Sequence, residues 1–573
     1  MADIKEDVTM GAKQNKKLPV LIVIILIVLV LAVSFIYERL HADTPTDKMA
    51  DLNDIYQSED GTAAVIANGV LSEARAEWRG QTAYLNLGIV RDELNDHFYW
   101  DDNEKLLLYT TANEVVRADA ESTYQGVPVF FEQGKNDAAE SRVYISLDYV
   151  SCYTNMQVET YSAPSRVFLR TIYGESEYAD VAEETAVHSK ANVKSPLLVK
   201  ASAGSRLWVI REEGSDWLYV YVGGEDGGVV GYVQRKLVSN LETVDDAGPY
   251  QQPEYTHLSL SEPIRMVWHQ VFQESGLDAW DSLMENVSGV NVLAPTWFSI
   301  ADSEGTVESR ANQEYVDRAH ANGMQIWALV ENINSEVKLD NARLLNTTSS
   351  RNRIIQTLIE QALAYGIDGL NVDLEGLPSS AGSGYIQFIR ELSVECRKNG
   401  LILSVDNYVP SAWTTHYQRD KQAEVIDYLV IMAYDEHYNG SEAGSTASFP
   451  FVENGIANTI AQGVPADRII CAVPFYSRIW HGDGSSVSSE TISMPNMQAY
   501  IAEHELTPVW EDDIAQNYVE YTDEEGTLNR IWVEDASSLQ AKIDVIRNYS
   551  LAGVAGWKLG METSDVWSIL AGE

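Results

Sequence analysis

Short apolar runs recur over residues 264–573, and segments with helical periodicity separate them. Eight such runs, each typical of a buried strand, cover residues 264–271, 290–298, 324–332, 368–375, 401–408, 428–437, 468–476 and 553–560. The segments 312–323 and 354–366 place apolar residues on one helical face and end in glycine, a common helix C-cap. Eight strands alternating with helices predict an α/β fold, a closed (β/α)8 TIM barrel over residues 262–573, with a small α+β insertion before the last strand.

The N-terminal half has a different pattern. Residues 63–175 alternate apolar and polar positions, which predicts half-buried strands. The segment that begins at Tyr84 returns 60 residues later at Tyr144 without a gap; the matched pairs include Leu87 with Leu147, Val90 with Val150 and Thr111 with Thr171. Each unit predicts a strand, a short helix and two further strands, so we expect an α+β repeat domain.

Residues 183–242 show short apolar strands with turn signals before them at Gly204, Gly214 and Gly227-Gly228. This spacing predicts a small SH3-like β-barrel. The flanking segments are polar: residues 38–62 predict a stalk, and residues 243–261, rich in Pro, Gly and acidic residues, predict a linker.

Residues 18–37 contain no charged side chain. A helix of this length rises about 30 Å, enough to cross a bilayer core. The run is too long for the apolar region of a signal peptide. Because Lys13, Lys16 and Lys17 precede it, residues 1–17 are expected in the cytoplasm and the remaining domains outside. We therefore predict a single-pass cell-membrane protein with an extracellular C-terminal domain.

Charge and cysteine content narrow the partners. The formal net charge of −45 repels nucleic acid, so nucleic-acid binding is excluded, and the acidity is expected to serve solubility. The chain has three cysteines, Cys152, Cys396 and Cys471, and such a small, odd number does not fit a disulfide framework. No Cys/His cluster has the spacing of a metal site. We therefore expect neither a metal nor another cofactor.

The fourth apolar run carries the candidate chemistry. Side chains of a strand alternate between its faces, so Leu370, Val372 and Leu374 are expected to pack outward while Asn371, Asp373 and Glu375 point into the barrel. Two inward carboxylates about 7 Å apart along a strand are costly to bury when ionised, and no cation is adjacent in sequence. At the C-terminal end of a barrel strand, where active sites lie, this pattern predicts a catalytic site.

The run from Asp368 to Glu375 resembles the D-x-x-D-x-D-x-E signature of family-18 glycoside hydrolases. Asn371 stands where chitinases of the family usually carry an aspartate, and the asparagine form is typical of its spore-cortex and cell-wall branch. Residues 432–437 and 553–560 are similar to the family's sixth and eighth strands. Residues 481–552 are similar to its small insertion module, which walls one side of the cleft. The resemblance therefore covers the whole barrel.

Two looser resemblances concern the N-terminal half. Residues 63–175 resemble the copper-amine-oxidase N-terminal-like domain of bacterial surface proteins, a name that implies no copper, and we interpret them as a spacer or wall-binding module. Residues 183–242, with Trp217 and the Gly-Tyr-Val at 231–233, resemble a bacterial SH3-type domain. Such a domain implies either contact with peptidoglycan stem peptides or a packing spacer.

The family resemblance implies a mechanism in which the substrate's own 2-acetamido oxygen attacks the anomeric carbon, with retention of configuration. Glu375 is then the proton donor. Asp373 orients the acetamido N–H and stabilises the oxazolinium charge, and its proximity keeps Glu375 protonated near neutrality. Asn371 is expected to hydrogen-bond Asp373 without adding a charge.

The same resemblance implies roles for further residues. Tyr434 donates to the acetamido oxygen, Asp435 lines the floor of the site and Trp557 stacks under the sugar ring. Asp368 lies on the opposite face of its strand and is expected to be supporting and structural. Other polar or aromatic residues at strand ends are candidates for substrate subsites; those selected are Trp297, Asn332 and Asn407, and Trp327, Tyr408 and Trp480 also end strands.

These features predict a membrane-anchored extracellular glycoside hydrolase, of the N-acetylglucosaminidase or chitinase type, that cleaves an N-acetylglucosamine-containing cell-wall glycan. Peptidoglycan is favoured as the substrate because the chain combines an anchor with a wall-binding-like module. Chitin or a chitooligosaccharide remains an alternative substrate. A non-catalytic wall-binding protein is the alternative of another class, and the intact Glu375 speaks against it.

Overall fold

A computed structural model describes residues 26–36, 44–134, 139–225, 227–272, 276–333, 337–482 and 487–571. These residues form two compact units. One consists of the described parts of Met1–Ile89, Thr123–Lys135 and Ser141–Gln252, and the other of Val90–Ser122, Asn136–Glu140 and Pro253–Glu573. The predicted domain boundaries remain predictions, and the units do not follow them in sequence order, because residues 90–122 belong to the unit that contains the barrel.

Eight parallel strands form a closed barrel in the second unit. They are β1 Ile264–His269, β2 Val292–Pro295, β3 Gln325–Glu331, β4 Gly369–Asp373, β5 Ile402–Tyr408, β6 Tyr428–Met432, β7 Ile469–Pro474 and β8 Gly553–Trp557. Each strand pairs with its neighbours in chain order, and β8 returns to β1. All eight predicted strands are present, and the predicted barrel fold is confirmed.

Ten helices of the barrel unit are described, and their ends follow local sequence signals. They are α1 Trp280–Met284, α2 Gln313–Ala321, α3 Asn341–Asn346, α4 Thr348–Tyr365, α5 Gly382–Asn399, α6 Arg419–Val425, α7 Phe449–Ala461, α8 Met494–Glu503, α9 Ala536–Asn548 and α10 Val566–Ala571. The Asn312 side chain caps the start of α2 by accepting from the amide of Tyr315. Gly366 ends α4 in the left-handed conformation, as the predicted C-cap requires.

The barrel strands divide their side chains between two cores. Outward residues such as Leu370, Val405 and Ile431 pack with the helices in one large apolar cluster. Inward residues, among them Met266 and Val430, fill the interior in a second cluster. The interior below the mouth is therefore a packed core, and polar side chains are left to the C-terminal ends of the strands.

A small α+β module lies between β7 and β8, where the sequence predicted an insertion. Its antiparallel sheet contains, in spatial order, Ser488–Ser493, Tyr476–His481, Leu528–Val533, Gln516–Thr522 and Val509–Glu511. Helix α8 packs on the strand Ser488–Ser493 of this sheet.

The strands Phe98–Asp101, Leu106–Thr110 and Val115–Ala118 form a separate antiparallel sheet that packs on the barrel helices. Asp101 is fully buried and accepts from both the amide and the hydroxyl of Thr348, each at 2.6 Å, so it caps α4. Gln387 of α5 donates to the hydroxyl of Thr110. The strand pair of the first repeat is thereby part of the barrel unit.

The first unit contains two seven-stranded sheets that share an apolar core. One has the spatial order Gln157–Ser162, Ser165–Arg170, Thr62–Ala67, Val70–Arg79, Thr82–Asn86, Val143–Ser146 and Phe130–Glu132. The other has the order Leu197–Ala201, Thr185–His188, Val229–Gln234, Trp217–Val222, Arg206–Glu213, Gly174–Asp180 and Glu242–Asp246. Short helices at Leu52–Tyr56, Leu87–Ile89 and Leu147–Val150 complete it. The last two follow the strands that begin the two predicted repeats.

The predicted membrane segment is described in part. Residues 26–36 form a helix with exposed side chains, while residues 18–25 and 37 lie outside the described residues. Within the described ranges, no helix combines the length and the apolar character needed to cross a bilayer.

Candidate active site

The alternation predicted for β4 is present in the structure. Leu370, Val372 and Leu374 lie in the outer core, against the helices. Asn371 and Asp373 are buried on the other face, and Glu375 follows two residues after Asp373, where the strand has ended. Gly376, with φ at +62°, turns the chain immediately after Glu375. The carboxyl group of Glu375 is therefore held at the C-terminal mouth of the barrel.

Hydrogen bonds fix Glu375 at both its backbone and its side chain. The amide side chain of Asn332, at the end of β3, accepts from the Glu375 amide and donates to its carbonyl oxygen, both at 2.9 Å. Tyr408, the last residue of β5, donates its hydroxyl to Glu375 Oε2 at 2.7 Å. Asn332 was predicted to bind substrate, but its polar atoms position the backbone of Glu375.

The surroundings of Glu375 favour its protonated form. The pKa of its carboxyl is raised above the usual value, first by desolvation and then by the negative charges of Asp435 and Glu331. The hydrogen bond from Tyr408 acts in the opposite direction but does not cancel the rise. A carboxyl group with these properties suits a general acid.

Asp373 lies deeper in the same mouth and is only 7 % exposed. Its pKa is raised well above the usual value by burial and by the neighbouring Glu375, Asp406 and Glu331 carboxyls. Its Oδ1 atom is buried without a hydrogen-bond partner among the described residues. A buried oxygen without a donor is costly, so this atom is poised to accept a hydrogen bond from a ligand.

The structure directs Asn371 away from the expected contact with Asp373. Its Oδ1 accepts from Trp268 Nε1 at 2.9 Å, and its Nδ2 donates to Ser404 Oγ at 3.0 Å and to Asp406 Oδ1 at 2.7 Å. Both N–H groups of the amide are used in this way, so the prediction that Asn371 hydrogen-bonds Asp373 is corrected: its partners are on β1 and β5.

The residues predicted after β6 and on β8 lie at the same mouth. Tyr434 is half-buried against the inner core, and burial together with the Asp373 carboxyl raises its pKa well above the usual value. Asp435, with φ at +53°, accepts from Tyr476 and Arg478. Trp557 packs partly against the inner core, with its ring centroid 5.7 Å from that of Trp268.

Three predicted residues lie elsewhere. Trp297 is fully buried in the outer core and packs on Tyr315, and Asn407 faces α6, where it exchanges hydrogen bonds with Gln422. The prediction that these two bind substrate is corrected, because both point away from the barrel interior. Asp368 accepts from the Ile326 amide just before β4 begins, which fits its expected structural role.

The other aromatic residues at strand ends lie in different places. Trp327 lies in the inner core, and Trp480 is fully buried and donates to the carbonyl of Gly444. Tyr408, through its bond to Glu375, is the one of the three that contacts the acidic residues of the mouth.

Two further acids and one aromatic residue were not selected from the sequence. Asp406 and Glu331 are each 2 % exposed, on the inward faces of β5 and β3. Trp413, in the helical turn Ala412–Tyr417, is 62 % exposed, and its ring lies 4.8 Å from that of Tyr408. The alternation that identified Asp373 also identifies Asp406, since Ser404, Asp406 and Tyr408 share one face of β5.

The mouth is acidic without cationic compensation at its centre. Neither Asp373, Glu375 nor Asp406 forms an ion pair with a cation among the described residues; Arg478 pairs with Asp435 instead. Among the residues that the structure describes, no group of three or more His, Cys, Asp or Glu side chains has the geometry of a metal site. The arrangement can donate a proton and accept a hydrogen bond from a neutral or cationic ligand.

Comparison with known proteins gives matches over this region. Residues 334–562 match the family described as Glycosyl hydrolases family 18. The chain is 27 % identical over 227 residues to the putative sporulation-specific glycosylase YdhD of Bacillus subtilis (strain 168), covering 38 % of this chain and 53 % of that protein. It is 27 % identical over 237 residues to the cortical fragment-lytic enzyme of the same organism, covering 40 % and 54 %. The chain thus spans about half the length of these two relatives.

A solved structure shows the same fold. The C-terminal domain of a putative chitinase from Desulfitobacterium hafniense DCB-2 superposes with a TM-score of 0.50 at 19 % identity, covering 54 % of this chain and 99 % of that one. The match of residues 334–562 to glycosyl hydrolases supports the predicted enzyme class, a glycoside hydrolase.

Proposed function

We propose that the family-18 glycosyl hydrolase domain of this chain cleaves the glycan strands of peptidoglycan at N-acetylglucosamine, by a retaining, substrate-assisted mechanism. The observation that carries this function is the pair at the barrel mouth. Glu375 is a partly buried acid with a raised pKa, and the buried Oδ1 of Asp373 lacks a donor among the described residues. A 2-acetamido sugar offers both the glycosidic oxygen that takes the proton and the N–H that can donate a hydrogen bond to Oδ1 of Asp373.

In the first step Glu375 transfers its proton to the glycosidic oxygen, and the acetamido oxygen attacks the anomeric carbon as the leaving group departs. Asp373 accepts a hydrogen bond from the acetamido N–H and stabilises the cationic ring that forms. Tyr434 donates to the acetamido oxygen. Water then opens the ring while Glu375 takes its proton, which restores the acid and retains the configuration.

The choice of peptidoglycan is supported by the names of the two relatives, a sporulation-specific glycosylase and a cortical fragment-lytic enzyme. Its disaccharide repeat contains the N-acetylglucosamine that the mechanism needs. Chitin oligomers are the second candidate, supported by the putative chitinase that shares the fold.

We further propose that residues 18–37 anchor the chain in the cell membrane with the catalytic domain outside, and that residues 183–242 contact the wall. The uncharged 18–37 run and the lysines before it support the anchor. Protease treatment of intact cells tests the orientation: the barrel should be degraded while residues 1–17 stay protected. Protection of the barrel contradicts an outside location.

Digestion of purified peptidoglycan by the full chain tests the activity. We expect new reducing ends, and mass analysis after borohydride reduction should place them on N-acetylglucosamine. Release from chitin oligomers without release from peptidoglycan contradicts the substrate, and no release from either contradicts the activity. The Glu375→Gln variant should be inactive. The matched control is Glu395→Gln, because Glu395 forms an exposed pair with Lys398 on α5.

A further inference from the structure

Asp406 faces the barrel interior at the same level as Asp373. Strands β4 and β5 pair in parallel with Asn371 opposite Ser404 and Val372 opposite Val405. The next position in this register places Asp373 beside Asp406. Neighbouring strands lie about 4.8 Å apart, so two side chains on one face at one level are direct neighbours.

The hydrogen bonds around Asn371 fix its orientation. Trp268 Nε1 is a donor and nothing else, so the atom of Asn371 that receives it must be the oxygen. The Asn371 nitrogen must then point to β5, where it donates to Ser404 and Asp406. Asn371 therefore ties Asp406 in place and has no donor left for Asp373.

Two buried carboxyls side by side cannot both ionise without a cation. Asp406 is 2 % exposed and Asp373 is 7 % exposed. Among the described residues, the titratable groups that interact electrostatically with Asp406 carry no positive charge: they are Asp373 and Glu375 from the β4 segment, Tyr434 from the segment after β6 and Tyr385 from α5. One proton on the pair is the arrangement that this environment permits.

We propose that Asp406 is a positioning residue that shares one proton with Asp373 and takes it when Asp373 accepts the substrate's acetamido N–H. This role rests on the proposed function. In the step, the O–H bond on Asp373 breaks and an O–H bond forms on Asp406. The pair keeps a single negative charge, which moves from Asp406 to Asp373, next to the developing cation. Electrostatics agree, since Asp406 helps to raise the pKa of Asp373.

The first test is Asp406→Asn in the full chain, which keeps the shape but removes the proton acceptor. We expect kcat to fall by about tenfold or more, the equivalent of one pKa unit. Because one negative neighbour is lost, the pKa values of the remaining acids fall, and the basic limb of kcat/KM should move to lower pH. The control Ser404→Ala removes a hydrogen bond of Asn371 but leaves the acid, and should keep the wild-type limb.

An exchange of the two side chains separates a proton-holding role from a packing role. The double variant Asn371→Asp/Asp406→Asn returns a carboxyl to the neighbourhood of Asp373, and we expect it to recover most of the activity and the basic limb. Wild-type kcat and pH profile in Asp406→Asn overturn the role. The role is also overturned if the double variant has the melting temperature of the wild type but is as inactive as Asp406→Asn.

A readout that needs no turnover distinguishes this inference from the proposed function. Infrared spectra at neutral pH should show a protonated carboxyl band in the wild type that is weakened in Asp406→Asn. An unchanged band overturns the proton-sharing role even if glycan is cleaved. If the wild type cleaves no glycan but shows a band that weakens in Asp406→Asn, the proposed function is contradicted and the proton-sharing role is not.

Discussion

Two groups of acidic residues in the barrel unit have contrasting surroundings. Glu534 and Glu391 are fully buried and each has a cation: Lys542 Nζ lies 2.8 Å from both oxygens of Glu534, and Arg351 forms two 3.0 Å hydrogen bonds with Glu391. At the mouth, Asp373 is buried and Glu375 is partly buried among other acids. In both pairs the cation balances the charge of the carboxylate, and the pair links two segments of the barrel unit.

The difference identifies which acids serve chemistry. A structural carboxylate is stabilised by a partner that fixes its charge, whereas a proton donor must keep a proton near neutrality. At the mouth, desolvation raises the pKa of Glu375, and among the described residues neither a cation pairs with it nor a donor reaches Oδ1 of Asp373. The two groups therefore differ in their partners: cations balance one set, and the other set is left to donate a proton or to accept a hydrogen bond from a ligand.

The largest expected effect is that of Glu375→Gln. Loss of the acid should lower kcat by about 10²–10⁴-fold, the usual contribution of general acid catalysis. The thermal midpoint should stay near that of the wild type, because no ion pair is broken. Turnover of peptidoglycan and a thermal melt check both parts. A less than tenfold loss of kcat contradicts the role of Glu375.

The opposite behaviour is expected at a paired acid. Arg351→Ala leaves Glu391 buried without its cation, which should lower the free energy of unfolding by about 3–5 kcal/mol. The kcat of the folded fraction should not change, since the hydrogen bonds of Arg351 go to Glu391, Leu345 and Thr348 and not to the acids of the mouth. Denaturant unfolding measures the loss. An unchanged stability would remove the contrast between the two kinds of acid.

A smaller effect is expected for Tyr408→Phe. The Tyr408 hydroxyl lowers the pKa of Glu375, so its removal raises that pKa further. Activity that requires protonated Glu375 is lost as pH rises through this pKa, so the basic limb of kcat/KM should move to higher pH. This is the reverse of the shift expected for Asp406→Asn. A shift to lower pH contradicts the assigned hydrogen bond.

The smallest effect is expected for Trp413→Ala. The ring is exposed beside Tyr408, and aromatic faces bind sugar rings at modest energies. We expect cleavage of long glycan strands to fall several-fold, by about 1 kcal/mol of binding, with little change for a disaccharide substrate. Equal losses on both substrates would show that Trp413 supports the site rather than a distant sugar.

The barrel could be predicted because its strands and helices differ in hydrophobic period, and every predicted strand lies where the structure has one. The association of residues 98–118 with the barrel could not be predicted. The two repeats share a local pattern, and what separates them is tertiary: Asp101 caps α4 through Thr348. No local sequence signal specifies that partner.

Within the site, the alternation of inward and outward side chains along β4 could be predicted. The chemical type of a residue at a strand end did not predict whether its side chain points into the barrel. Asn407 and Trp297 were selected for their chemical type and point outward. Asp406, one position before Asn407, points inward. The alternation of β5 would have made this distinction. The orientation of Asn371 could not be read from the sequence, because Trp268 on β1 decides it.

The pH dependence of kcat/KM for the wild-type chain tests most directly whether burial keeps Glu375 protonated. The raised pKa predicts that activity persists above the ordinary titration range of a glutamate and falls at a higher pH. This basic limb should be absent from the residual activity of Glu375→Gln. A limb at the ordinary glutamate pKa, or one that survives in that variant, would contradict the account.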